Sequence, residues 1–301
     1  MEANVRRIEP DLHLISLYPP LSGFTDFIGA WLYQGKTSFL VDVGPASTVA
    51  GLIKRLRDLN VTHLDYILLT HIHLDHCGGI GAIAGHFPQT PIVCHKDGIP
   101  HLIDPTRLWE GTQRILGATA LGYGPVTAVS GHRLVAAQEF STAEVVPVIT
   151  PGHAAHHVSY RTSQYIFAGE AGGVFLALPD SREYLRPATP PRFFLDTALK
   201  SIDALIAGQP SKICYGHYGL RNAAVEMLAK HREQLVRWER LIQDVTARTA
   251  PDDILAACLD RVLKEDPCLD ALYQMPLAVR EREMGFLQNS IKGFVGYLKE
   301  R

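Results

Sequence analysis

Residues 70–79 read Thr-His-Ile-His-Leu-Asp-His-Cys-Gly-Gly, which sets three histidines and an aspartate, His71, His73, Asp75 and His76, within six positions. The cluster follows directly on Tyr66-Ile67-Leu68-Leu69, an apolar run that reads as a short strand buried on both faces. A polar turn after a strand has no need of so many imidazoles, whereas a metal ion does.

Three further places repeat the pattern. Val145-Val146-Pro147-Val148-Ile149 runs into Thr150-Pro151-Gly152-His153, Phe167-Ala168 into Gly169-Glu170, and Cys214-Tyr215 into Gly216-His217. Each time an apolar strand ends in a short turn that presents a metal-binding side chain. Strand ends converge along one edge of a sheet, so residues far apart in sequence can meet there. Solvated histidines have no reason to follow such a rule, and the metal reading is the stronger one.

The rest of the chain is that of an ordinary globular protein: 301 residues, 47% hydrophobic, 20% charged, net charge −2. That balance gives no electrostatic reason to expect nucleic acid or an anionic membrane as partner. No apolar run approaches the roughly 18 residues of a membrane span. The first residues, MEANVRRIEPDLHLISLYPP, hold acids around their arginines and no long apolar core, so they do not read as a secretory signal. Five scattered cysteines without a CxxC pair suit reduced thiols packed as small hydrophobes, and a cytoplasmic setting is expected.

Strands are expected over 12–18, 27–33, 38–43, 66–69, 91–95, 144–150, 158–161, 165–168 and 212–215. Helices are expected from about 49 to 56, over 78–86, 104–116 and 194–206. A proline-rich stretch, 178–191, is too rigid for a helix. From about Leu220 a long apolar stripe at helical spacing begins, including Met227, Leu235, Trp238 and Ile242. The chain thus divides into a strand-rich α/β body, residues 1–219, and a helical extension, residues 220–301.

With its HxHxDH signature at His71, His73, Asp75 and His76 and later single residues at His153, Glu170 and His217, the sequence resembles the metallo-β-lactamase superfamily over most of residues 10–220. The resemblance implies an αββα four-layer sandwich with the metal site at one edge. It assigns His71, His73 and His153 to one ion, and Asp75, His76 and His217 to a second, with the carboxylate of residue 170 bridging. The family commonly has Asp where this chain has Glu170. The extra methylene has to be absorbed by the backbone, or the carboxylate binds asymmetrically. The resemblance also places His157 beside the ligands. Asp42, at the end of a strand, can orient an imidazole by accepting its other N–H. Tyr18, Tyr184, Arg186 and Tyr218 are further candidates for substrate contact, although lone aromatics and arginines more often pack or sit at the surface.

Imidazole and carboxylate suit two divalent ions, zinc first, with iron or manganese also accommodated. Such ions turn bound water into hydroxide at neutral pH. Asp75 enters the chemistry as a ligand of the metal rather than as a free base. The expected function is a metal-dependent hydrolase of a small ester, thioester or lactone, acting on a small-molecule substrate, with a homodimer left open. The helical extension resembles the layout of glyoxalase-II-type thioesterases. An iron-dependent redox enzyme of the persulfide dioxygenase kind, a phosphodiesterase or nuclease, and a non-catalytic binding protein are the competing classes. The short connections and near-neutral charge speak against the nuclease.

Overall fold

The computed structural model describes residues 3–301. A first sheet has the order β1 (Asn4–Glu9), β2 (Leu12–Leu17), β3 (Ile28–Gln34), β4 (Ser38–Val41), β5 (Tyr66–Leu68), β6 (Ile92–Cys94) and β7 (Leu134–Ala136). It is antiparallel from β1 to β4 and parallel from β4 to β7. Parallel neighbours need crossovers. These are α1 (Val49–Asp58), then α2 (Leu74–Cys77) and α3 (Ile80–His86), then α4 (Ile99–Ile103), α5 (Thr106–Leu116) and α6 (Ala118–Tyr123). In α1 the apolar Leu52 and Leu56 fall one turn apart and are buried, while Arg55 and Arg57 sit in the last turn, where the helix dipole favours cations.

The second sheet begins with β8 (Val146–Ile149), β9 (Val158–Arg161) and β10 (Tyr165–Gly169). The chain then makes a separate antiparallel pair, β11 (Val174–Ala177) and β12 (Glu183–Arg186). After α7 (Leu195–Ala207) it returns as β13 (Lys212–Tyr215) and β14 (Leu220–Asn222), giving the order β14-β13-β10-β9-β8. The two sheets lie face to face. Phe167 of β10 packs edge-on against Trp31 and Phe39, with ring centroids 6.3 and 5.6 Å apart. Trp31 Nε1 donates to Tyr215 O at 2.9 Å across the interface. Helices α1 and α3 lie outside the first sheet, and α7 and α8 (Ala224–Thr246) outside the second. This is the expected four-layer αββα sandwich, followed by C-terminal helices.

Several elements go beyond the expected ones. β1 is an edge strand whose half-exposed, charge-rich sequence carries little apolar signal. The proline-rich stretch contains β12, paired with the unexpected β11. The helix expected over 78–86 is α3, which begins at Ile80, and the short α2 is an additional turn before it, separated from it by Gly78 and Gly79. A Cβ at Gly78 would stand 2.9 Å from Ala46 N, so glycine permits the close approach of this turn to the β4–α1 connection. β14 pairs with β13, so the second sheet ends just beyond residue 219.

The C-terminal helices α8, α9 (Ile254–Glu265) and α10 (Leu277–Glu300) are tied to the sandwich by buried polar contacts. Asp266 accepts from Gln234 Nε2 and Trp238 Nε1, both at 2.7 Å, from Arg237 Nη1 at 2.9 Å and from Cys268 N at 3.2 Å. Gln234 Nε2 also donates to Leu185 O of β12 at 2.7 Å. On α10, Glu283 pairs with both Arg186 and Arg282. No helix among the described residues is long and apolar enough to cross a membrane, and all five cysteines are free and buried. Removing the Asp266 carboxylate leaves several buried donors unpaired. Asp266→Ala is therefore expected to lower the unfolding free energy by about 3–5 kcal/mol, read from urea denaturation. A loss below about 1 kcal/mol would contradict the role given to this residue.

Candidate metal centre

The chain runs extended through His71 and His73, and His73 caps α2 with extended backbone angles. Alternation in an extended segment puts residues two apart on one side, so His71 and His73 face the same point. The turn into α2 then swings Asp75 and His76 to a neighbouring point. His153 follows β8, Glu170 follows β10 and His217 follows β13, all at the same sheet edge. The structure brings the residues singled out in the sequence into two adjoining sets: His71, His73, His153 and Glu170, and Asp75, His76 and His217.

Within the first set, His73 Nδ1 lies 3.0 Å from His71 Nε2 and 3.0 Å from His153 Nε2. Within the second, His76 Nε2 and His217 Nε2 are 3.1 Å apart, and Asp75 Oδ2 is 3.4 Å from His217 Nε2. Glu170 Oε2 reaches His153, His71 and His76 at 3.0, 3.2 and 3.5 Å, and its Oε1 lies 3.7 Å from His217. One carboxylate therefore stands between both sets.

The remaining ring nitrogens settle the tautomers. The Asp42 carboxylate accepts from Thr70 N, from Thr70 Oγ1 and from His76 Nδ1, each at 2.8 Å. Because the Thr70 hydroxyl proton goes to Asp42, His71 Nδ1 must donate to Thr70 Oγ1, at 3.0 Å. His153 Nδ1 donates to Ala188 O at 2.7 Å and His217 Nδ1 to Phe27 O at 3.0 Å. With Nδ1 committed in this way, each of the four imidazoles, in its neutral form, turns an Nε2 lone pair inward. Lone pairs facing one another about 3 Å apart repel unless a cation stands between them, and Zn–N bonds of about 2.0–2.1 Å give ligand separations close to these. The donor chemistry fits a metal ion in each set.

Charge supports the same conclusion. Burial, joined by the neighbouring His153, pushes the His73 imidazole down to about 3, and burial with neighbouring His76 and His73 holds His71 well below the usual range. For His76 burial opposes the charged form, but Asp42 and Asp75 outweigh it and raise the pKa. His153 is raised by Glu170 against the same burial. Burial would raise Asp75, yet His76 and His217 bring it down to about 2. Glu170 is likewise held well below the carboxylate range, against its burial, by His153 and the hydrogen bonds around it. The site thus gathers the carboxylates of Asp75 and Glu170 among imidazoles of two kinds. His71 and His73 are held neutral by burial, whereas His76 and His153 are drawn toward the charged form by acids. Divalent cations suit carboxylates buried in this way.

The backbone around Glu170 is tightly set. The β10–β13 ladder shifts register between Phe167 and Gly169, and Gly169 takes φ +54°. A Cβ there would stand 2.3 Å from His157 Nε2, so only glycine brings the chain this close to the imidazole. His157 donates from Nδ1 to Thr150 Oγ1 at 2.8 Å and accepts from Glu170 N at 3.2 Å. It positions the Glu170 backbone and lies outside both ligand sets.

The site opens into a cavity of about 440 Å³, walled by α5, by residues 186–191 and by Phe286 and Ser290 of α10. Of the four substrate-contact candidates only Arg186 borders it. Tyr18 and Tyr218 instead hydrogen-bond Asp26, each at 3.1 Å, and Tyr184 is wholly buried. Sequence reasoning missed Thr70, which stands next to His71 and could have been found there. It also missed Phe27, whose carbonyl holds His217 and whose ring stacks on that imidazole at 4.2 Å. Asp42→Asn is expected to keep the fold but weaken zinc binding about 10–100-fold, measured by competition with a chromophoric chelator. Affinity within twofold of the parent would contradict the orienting role of Asp42.

A family model described as the metallo-beta-lactamase superfamily matches residues 26–217. The metallo-beta-lactamase fold-containing protein ST1585 of Sulfurisphaera tokodaii is 24% identical over 235 residues, covering 73% of this chain and 82% of its own. The crystal structure of ST1585 from Sulfolobus tokodaii aligns with TM-score 0.70 at 17% identity, over 95% of this chain and 98% of that one. A hydroxyacylglutathione hydrolase of Pectobacterium atrosepticum is 30% identical over 147 residues, 46% of this chain. That match spans 45% of the relative's length, less than half of it.

Proposed function

The chain belongs to the metallo-beta-lactamase superfamily, and from that premise we propose that it is a metal-dependent hydrolase of a small ester, thioester or lactone. The observation that carries this reading is the pair of ligand sets sharing Glu170 at the base of one cavity. Divalent ions held by His71, His73 and His153, and by Asp75, His76 and His217, with Glu170 between them, would supply Lewis acidity toward water and a substrate oxygen. The all-nitrogen-and-oxygen donor set suits zinc.

The protein's own groups do the positioning. Asp42 with Thr70, Ala188 and Phe27 fix the imidazoles before any ligand arrives, so little reorganisation is needed during reaction. Asp75, committed to His76 and His217, is a poor proton acceptor in the neutral range. Ile72, Leu74, Leu108 and Phe286 line the cavity and limit water around the reacting bond. A pocket of about 440 Å³ falls in the range of small-molecule sites. The likeness to hydroxyacylglutathione hydrolases supports a thioester or related acyl compound.

The test is turnover of a panel of aryl esters, acyl thioesters and γ-lactones by protein whose metal content has been measured. His71→Ala and His153→Ala should each lose metal and reduce kcat/KM about a hundredfold or more, and a chelator should abolish activity reversibly. Unchanged turnover in either variant would sink the proposal. So would native protein loaded with iron that consumes oxygen with a thiol or persulfide and cleaves no acyl bond.

A further inference from the structure

Helix α5 contains no fully buried side chain. Its Leu108, Thr112, Ile115 and Leu116, spaced as one helical stripe, border the cavity, and Ile115 is 73% exposed. Leu108 and Leu116 also touch the core, but each is only partly buried. The apolar surface that the stripe leaves toward the cavity fits an apolar occupant, since covering it removes that surface from water. On the opposite wall stands Arg186, 3% exposed. Its Nε pairs with Glu283, and Nη1 donates to Pro187 O at 3.1 Å. Its guanidinium lies over the Phe286 ring at 4.8 Å. The other Nη has no acceptor among the described residues. Glu283 is shared with Arg282, so this group of one acid and two arginines carries an excess positive charge. Apart from Asp75 and Glu170 of the metal centre, no carboxylate borders the cavity among the described residues.

We propose that the free edge of Arg186 recognises an anionic oxygen group, a carboxylate in its simplest form, on a substrate whose apolar body lies along α5; that this ligand is the substrate rests on the hydrolase function proposed above. A guanidinium pinned by Glu283 and Phe286 is a preorganised donor for such a group, and its burial strengthens the hydrogen bond. A neutral ligand would leave that donor unsatisfied.

Calorimetry on the zinc-loaded protein with 5-phenylpentanoate and 5-phenylpentanamide tests this directly. The acid is expected to bind about tenfold or more tightly than the amide, and Arg186→Met should shrink the preference to about threefold or less. Arg186→Lys keeps a cation beside Glu283 but no planar fork, and should show the same loss if the methionine variant does not fold. Equal binding of acid and amide by the parent protein overturns the inference. So does a preference retained by a folded, fully metal-loaded Arg186 variant, which would place the carboxylate on the ions or on Arg107, the other arginine bordering the cavity. Turnover of monophenyl glutarate and phenyl butyrate separates the two claims. No hydrolysis of either ester, with the acid preference intact, removes the hydrolase reading and leaves the anion site standing. Hydrolysis of both at equal kcat/KM, with acid and amide bound alike, does the reverse.

Discussion

A single buried carboxylate, that of Asp42, governs one imidazole in each ligand set. It takes the His76 Nδ1 proton directly and the His71 proton through the Thr70 hydroxyl. Asp42 holds this position at φ +57°, a left-handed conformation that aspartate tolerates better than most residues. The same chain segment anchors α2, because Val43 N and Gly44 N both donate to His76 O, at 2.8 and 3.1 Å. The end of β4 therefore aims the side chains and the backbone of the histidine cluster together. Burying a carboxylate is costly in isolation, and the three hydrogen bonds that Asp42 accepts offset the cost.

The two sheets make this convergence stiff. Val158 N of the second sheet donates to Thr70 O beyond the end of β5 at 2.7 Å, and Gly216 N to Gly169 O at 3.0 Å. The chain is thus cross-linked one residue from His71, Glu170 and His217, and the loop that carries His153 is tied down where β9 begins. The C-terminal helices add the cavity: α10 contributes Phe286 and Ser290 to its wall, and its Glu283 clamps Arg186 on β12. Site and pocket come from different parts of the chain, the first from strand ends and the second from helices laid across them.

Much of this was legible in the sequence, and for an identifiable reason. A strand followed by a turn and a metal-binding side chain is a local pattern, and it occurs at each of the places that meet in space. What escaped was non-local or lacked a side-chain signal. Phe27 and Ala188 act through their carbonyls, which every residue possesses. His73 offers Nδ1 where its neighbours offer Nε2, a choice made by the turn into α2. β12 lay hidden in a proline-rich stretch, although Arg186 stands before Pro187 and such a residue favours extended backbone. Glu283 looks like a surface residue of an amphipathic helix until its two arginine partners are seen. The backbone of Glu170 is set by the Gly169 turn and by His157, neither of which the spacing alone could reveal.

The central claim is that two ions share Glu170. Crystals of protein purified without added metal, with diffraction data collected on both sides of the metal absorption edge, test it most directly. Two anomalous peaks are predicted, one ringed by His71, His73 and His153, the other by Asp75, His76 and His217, with the Glu170 carboxylate bound to both. A single peak, or a Glu170 side chain turned away from two occupied positions, would contradict the account.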